Sequence, residues 1–227
     1  MNFLAIDTST EAQVLGIARG DVILESTEVV GRGHSQLILP SIMRLLDDAG
    51  LRLSDLDGII FGQGPGSFTG LRIAVGVVQG LGYGLDIPVV PVGTMAVMAQ
   101  GACRLHGAEQ VVVALHARKR EVYFGSYRLA GGIVEAVGEE CVVAADEAPP
   151  QPFDTCLGVG SGWAELGDAL ESACGVSTTA TIADVYPAAI DLLTLGVNHW
   201  SSGLTVAALK AEPRYLRERV ATPGVRS

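Results

Sequence analysis

The stretch from Gly58 to Gly84 limits the possible folds more than any other. It reads as a strand, Gly58-Ile59-Ile60-Phe61, then a glycine-rich turn, Gly62-Gln63-Gly64-Pro65-Gly66-Ser67-Phe68-Thr69-Gly70-Leu71-Arg72, then an apolar helix to Gly84. That order aims backbone N–H groups and the positive end of a helix at whatever lies above the turn, and an anion is the usual guest. The spacing is not that of a Walker loop, since no Lys follows, and G-x-G-x-x-G does not occur in it. A tight turn that simply needs glycine is the other reading.

The helix behind the turn carries Gly76, Gly80 and Gly84 four residues apart, on one ridge. Each interior helical glycine costs ~1 kcal/mol relative to Ala, so something should offset Gly76 and Gly80. Close approach of another backbone is the usual reason. Either the helix packs on its own sheet there, or the ridge forms a seam with another subunit. Arg72, Gln79 and Tyr83 lie near the ridge at helical spacing.

With 227 residues, 48% of them hydrophobic, the chain can hold one large or two small domains around an aliphatic core. The formal net charge of -10 argues against a broad nucleic-acid-gripping face. Two basic knots, Arg118-Lys119-Arg120 and Arg214 with Arg217 and Arg219, read as solvated surface. Cys103, Cys141, Cys156 and Cys174 form no C-x-x-C, so neither a zinc framework nor a redox pair is indicated. The N-terminus lacks a signal-peptide pattern, and the most apolar region is interrupted by Arg72, Gln79, Asp86, Pro88 and Pro91. A soluble cytoplasmic protein without membrane contact is the expectation.

Along the chain, strands are expected over 3–8, 13–18 and 22–30, then a helix from a Ser35 N-cap to about Ala49, with Pro40 kinking it or delaying its start. The strand 58–61, the glycine turn, a helix over 69–84, a strand over 88–92 and a helix from Thr94 to His106 follow. The order β-β-β-α-β-α-β-α predicts a mixed sheet with helices on its faces. The second half repeats the theme, with strands over 111–115, 121–129, 133–143 and 155–159 and helices over 163–173 and 188–200. Two related lobes are expected, 1–106 and 107–227. This resembles the two-lobed actin, sugar-kinase and Hsp70 fold, an α/β class. There the turn after each lobe's first strand meets a nucleotide phosphate; here these turns are Asp7-Thr8-Ser9-Thr10 and His116-Ala117-Arg118.

The glycine turn Gly62 to Ile73 resembles the signature of the bacterial TsaB (YeaZ) family of tRNA threonylcarbamoyladenosine biosynthesis proteins. So do Ile6-Asp7-Thr8-Ser9, His34-Ser35-Gln36 with Leu39-Pro40, Ala114 to Arg118 before Glu121-Val122-Tyr123, and Glu212-Pro213-Arg214-Tyr215-Leu216-Arg217. The likeness spans essentially the whole chain. It implies a non-catalytic paralogue of TsaD, the subunit that transfers threonylcarbamoyl to the adenosine beside the anticodon of ANN-decoding tRNAs. It further implies pairing with TsaD through N-lobe helices, an ATPase partner of the TsaE kind, and homodimers through a similar helical surface. ATP would be used by the partner complex, with no cofactor intrinsic to this chain, and tRNA would be met only through the complex.

On this reading the partner-binding residues are His34, Leu39, Arg72, Gly76, Gln79, Gly80 and Tyr83. The phosphate-loop-like residues are Asp7, Thr8, Ser9, Gly64, Gly66 and Arg118. Two departures or gaps stand out. His116 replaces the usual Asp of the second turn, keeping a hydrogen bond but not the charge. The H-x-x-x-H metal pair of TsaD-like proteins is missing from Gly93 to Gln100, and the four histidines show no helical pairing, which also excludes metallopeptidase chemistry. Asp7 is either a phosphate or metal neighbour or the cap of the Ser9–Thr10 turn, and the cap is the simpler role. Ser35 caps a helix rather than pairing with His34 as a nucleophile. Arg72 meets either an acidic partner or an internal carboxylate. The competing function is a nucleotide-binding ATPase or kinase using Asp7, the glycine turn and Arg118.

Overall fold

The computed structural model describes residues 1–31 and 33–216; Arg32, Arg217 and Arg219 therefore lie outside the described residues. The first lobe contains strands β1 (Asn2–Asp7), β2 (Ala12–Arg19) and β3 (Val22–Val29), helix α1 (His34–Asp48), β4 (Gly58–Gly62), α2 (Phe68–Leu85), β5 (Val89–Val92) and α3 (Thr94–His106). The second contains β6 (Gln110–Arg118), β7 (Glu121–Ala130), β8 (Ile133–Ala136), β9 (Cys141–Ala144), β10 (Thr155–Val159), α4 (Gly162–Cys174) and β11 (Ser177–Ile182), and α5 (Ala189–Ser201) closes the chain's regular structure.

The two sheets share one plan. In the first, β1 pairs antiparallel with β2 and β2 with β3, while β1, β4 and β5 run parallel, giving the order β3-β2-β1-β4-β5. In the second, β6 pairs antiparallel with β7 and β7 with β8, while β6, β10 and β11 run parallel, giving β11-β10-β6-β7-β8. This duplicated mixed sheet is the two-lobed actin-like α/β architecture that the resemblance implied. The central strands are covered on both faces, which is why β1 and β4 read as nearly unbroken apolar runs.

Side-chain alternation sorts the core into layers. Leu4, Ile6, Leu15, Ile17, Ile59 and Phe61 meet α1 and α2 on the outer face of the first sheet. Phe3, Ala5, Ala18 and Ile60 face the other way, into a core shared with Val111, Val113, Leu157 and Val159 of the second sheet. Helices α3 and α5 fill that middle layer. Trp163, Leu166 and Leu170 of α4 cover the far face of the second sheet. Burial pushes the Cys156 thiol up to about 12 and the Cys174 thiol to about 11. Both act as packed apolar groups there rather than as reactive thiolates.

The structure departs from the sequence expectations at several points. Helix α5 follows the second lobe in sequence but lies on the first sheet, against β1, β2, β4 and β5. Its Gly196 sits so close to Ile60 that a Cβ would overlap that side chain. The expected strand 133–143 is two strands. Strand β8 pairs with the C-terminal half of β7 and β9 with its N-terminal half, and Gly138 at φ +85° makes the step between them. Strand β11 was not expected, because its Thr-rich run is an exposed edge without apolar alternation. Helix α1 starts at His34 behind an N-cap of Gly33 with no side-chain cap, so Ser35 is a first-turn residue and not the cap. Pro40 lies within α1, on its exposed side.

Candidate functional site

Asp7 ends β1 in complete burial. One carboxylate oxygen accepts the Ser9 backbone N–H at 2.7 Å and the other accepts the Thr94 hydroxyl at 3.3 Å. Burial raises its pKa above the ordinary 3.8, opposed by the hydrogen bonds from Ser9 and Thr94 and by nearby His34. The carboxylate thus caps the turn after β1, and it faces Gly62 where no side chain would fit.

The glycine turn closes over that same corner. The Ser67 N–H donates to the Ser9 carbonyl at 2.7 Å, and the Thr8 hydroxyl donates to the Gly70 carbonyl at 2.8 Å. Ser67 is the N-cap of α2, its hydroxyl accepting the Gly70 N–H at 3.2 Å. A Cβ on Gly66 or Gly70 would run into the carbonyls of Ser9 or Thr8. These glycines let the end of β1 sit against the helix start. Protein atoms hold two of the N–H groups that an anion would use. Gly64, at φ +100°, is buried beside Leu71 and the Arg214 carbonyl.

The two lobe turns face each other across an open cleft of about 630 Å³, with Ser9, Gly66 and Ser67 on one wall and His116, Ala117 and Ser161 on the other. His116 bonds the Lys119 carbonyl through Nε2 at 2.9 Å, and its backbone N–H donates to Ser161 Oγ at 3.0 Å. It fastens the β6–β7 hairpin to the start of α4. These residues do not fit a magnesium nucleotide. Asp7 is consumed as a cap, His116 carries no carboxylate, and the glycine turn is filled by Thr8 and Ser9. Among the described residues no three His, Cys, Asp or Glu side chains converge as a metal site would require.

The outer face of α1 and α2 is the other candidate. Leu39 and Met43 of α1 are 50% and 52% exposed, and Phe68 and Tyr83 of α2 are 64% and 69% exposed. A Cβ placed on Gly76, Gly80 or Gly84 would meet nothing within 4 Å. The glycine ridge therefore does not serve packing on the chain's own sheet; Ala74, Val75 and Val78 of α2 do that. Arg72 shares this face and has no carboxylate partner among the described residues. Its guanidinium lies 3.3 Å above the Phe68 ring and 5.3 Å from the Tyr215 ring.

Two residues grouped with this face by sequence turn elsewhere. His34 is buried, its Nε2 bonded to the Thr10 carbonyl at 3.0 Å. Gln79 is half-buried and donates to the Ala211 carbonyl at 2.7 Å, tying down the C-terminal segment. Leu39, Arg72, Gly76, Gly80 and Tyr83 remain on the open side. Met43 and Phe68 join them without having been singled out, although each stands four residues from a chosen one, Leu39 and Arg72. The segment around Arg214 also anchors firmly. Its N–H donates to the Gln63 carbonyl at 2.8 Å, and its guanidinium pairs with Glu140 at 2.7 Å.

A family model described as TsaD, tRNA N6-adenosine threonylcarbamoyltransferase, matches residues 21–156. The Escherichia coli tRNA threonylcarbamoyladenosine biosynthesis protein TsaB is 37% identical, over 97% of this chain and 96% of its own. The chain belongs to the TsaB family. The TsaB protein of Haemophilus influenzae is likewise 37% identical, over 97% of this chain and 95% of its own. The solved YeaZ structure from Pseudomonas aeruginosa is 41% identical with a TM-score of 0.87, covering 95% of this chain and 99% of that one. A second Pseudomonas aeruginosa structure, of a protein described by its similarity to peptidase YEAZ, is 42% identical with a TM-score of 0.89 over the same shares. Within this TsaB-family chain the helix pair and the glycine turn are adjacent, because α2 begins where the turn ends. Among the described residues no helix is long and apolar enough to cross a membrane.

Proposed function

We propose that this chain is a non-catalytic subunit of cytoplasmic tRNA threonylcarbamoyladenosine synthesis. It docks a TsaD-like paralogue through the outer face of α1 and α2 and so supports threonylcarbamoyl transfer to adenosine beside the anticodon. A TsaE-like ATPase joins that pair and accounts for the ATP the assembly uses; this chain needs no cofactor of its own. The observation that carries the reading is the open ridge of Gly76 and Gly80. Two interior glycines together cost the isolated helix about 2 kcal/mol, and among the described residues nothing would meet a Cβ on either. Close approach of a partner helix would offset that cost. The named relatives and the TsaD-type family match support the choice of pathway and of a paralogous partner.

The test is light scattering after size exclusion, on the chain alone and mixed with the TsaD-like paralogue of the same organism. A one-to-one complex that Gly80→Leu abolishes is the expected result. Absence of any complex, under conditions where known pairs associate, overturns the reading. A dimer of the chain alone that the paralogue displaces would place both contacts on the same face. The competing nucleotide-binding role requires heat on titrating ATP and magnesium into the isolated chain. The filled glycine turn argues for none.

A further inference from the structure

The basic residues of the β6–β7 hairpin have no structural employment. In a chain of net charge -10, the side chains of Arg118, Lys119 and Arg120 make no ion pair or hydrogen bond among the described residues. Yet the hairpin tip is fixed. Lys119 adopts φ +54°, a conformation uncommon for a residue with a side chain, and His116 holds its carbonyl.

Arg118 lines a groove of about 520 Å³ between the lobes, together with Phe68, Arg72, Tyr123, Tyr215 and Leu216. Three aromatic rings and three guanidiniums thus border one concavity; Arg214 pairs with Glu140, whereas Arg72 and Arg118 have no carboxylate partner among the described residues. Phe68 and Tyr215 lie 6.1 Å apart, with Arg72 against both rings. Exposed rings beside guanidiniums that have no carboxylate partner among the described residues suit a ligand made of planar bases and phosphates. An acidic peptide would be served by the cations but has no use for the ring platform.

We propose that this groove binds an unpaired stretch of RNA, with Arg118 and its hairpin neighbours on the phosphates and Phe68 and Tyr215 stacking on bases. Direct RNA contact by this chain differs from the expectation that tRNA is met only through partners. The choice of RNA over DNA rests on the proposed role in tRNA modification; the groove itself is read from the chain alone.

The test is fluorescence anisotropy of the full chain, without partner, against a labelled single-stranded RNA 12-mer and an unmodified tRNA transcript. Wild type should bind, weakening with salt at a log–log slope of about −0.7 per phosphate contacted. Arg118→Glu should weaken binding at least ~10-fold and flatten that slope, and Arg118→Lys should retain it. Tyr215→Ala should weaken binding about 10-fold with the slope unchanged, because stacking carries no counterion release. Unchanged circular dichroism keeps folding out of the comparison. Lack of binding by wild type, or variants that bind as wild type does, overturns the proposal. Equal competition by polyglutamate also overturns it, in favour of an acidic protein partner. Failure here leaves the paralogue complex untouched, since that is read by mixing and on α2 glycine variants.

Discussion

The Arg214 guanidinium and the Glu140 carboxylate meet at 2.7 Å, pinning the C-terminal segment to the second lobe. Glu140 also accepts the hydroxyl of buried Tyr127, whose pKa is driven well above 10 by burial and then by that carboxylate. The two partners are unequal. Arg214 is 44% exposed, whereas Glu140 is 7% exposed. Arg214→Ala strands the nearly buried Glu140 carboxylate without a counter-ion and should therefore cost about 3–5 kcal/mol. Glu140→Ala leaves a buried hydroxyl unpaired and should cost about 1–3 kcal/mol. Urea denaturation of both variants checks the order; equal losses would refute the asymmetry.

Glycines that look alike in sequence should respond oppositely to Ala. At Gly76 the space is open, so Gly76→Ala should stabilise the isolated chain by about 0.5–1 kcal/mol through helix propensity alone. At Gly196 the added methyl meets Ile60, so Gly196→Ala should destabilise by about 1–3 kcal/mol. Thermal melts of the two variants decide it.

Gly70→Ala presses on the Thr8 carbonyl, which is backbone and cannot swing aside. The turn after β1 must then shift, and the Thr8 and Ser67 hydrogen bonds with it. A loss of about 2–3 kcal/mol is expected, of the size seen for overpacked sites. Amide exchange should localise the loosening to residues 8–10 and 66–70.

Asp7 gives a pH dependence of definite sign. Its folded pKa is raised, so the folded state keeps a proton that the unfolded chain releases near 3.8. Stability contributed by this group is full below 3.8 and is lost as pH rises from there through the raised folded value. Asp7→Asn does not titrate and can still accept the Ser9 N–H. The difference in unfolding free energy between variant and wild type should therefore grow in the variant's favour from about pH 4 upward, then level off. A gap that shrinks with rising pH would contradict the assignment.

The local features were legible in the sequence. Strand, glycine turn and helix are consecutive, so pattern and turn chemistry gave β4, α2 and the adjacent Asp7 corner. The duplicated strand order was readable from apolar runs, since covered central strands are apolar throughout. What escaped were contacts between distant segments. Gln79 looked like a surface residue beside Arg72 and Tyr83 until the Ala211 carbonyl arrived over it. His34 sat in an exposed-looking motif, yet it turns inward onto Thr10. Helix α5 was legible as a helix but not as a cover for the first sheet, where Gly196 lets it approach Ile60 closely. Strand β11 lacks the apolar alternation by which edges are usually recognised.

The placement of α5 on the first sheet has a consequence for synthesis. Strands β1 to β5 are complete by residue 92, but the helix that covers their inner face ends at residue 201. A chain emerging from the ribosome thus carries Phe3, Ala5, Ala18 and Ile60 without that cover until almost the whole polypeptide exists. The halves cannot mature one after the other, and a fragment cut after His106 would expose an adhesive apolar face instead of forming a smaller stable unit.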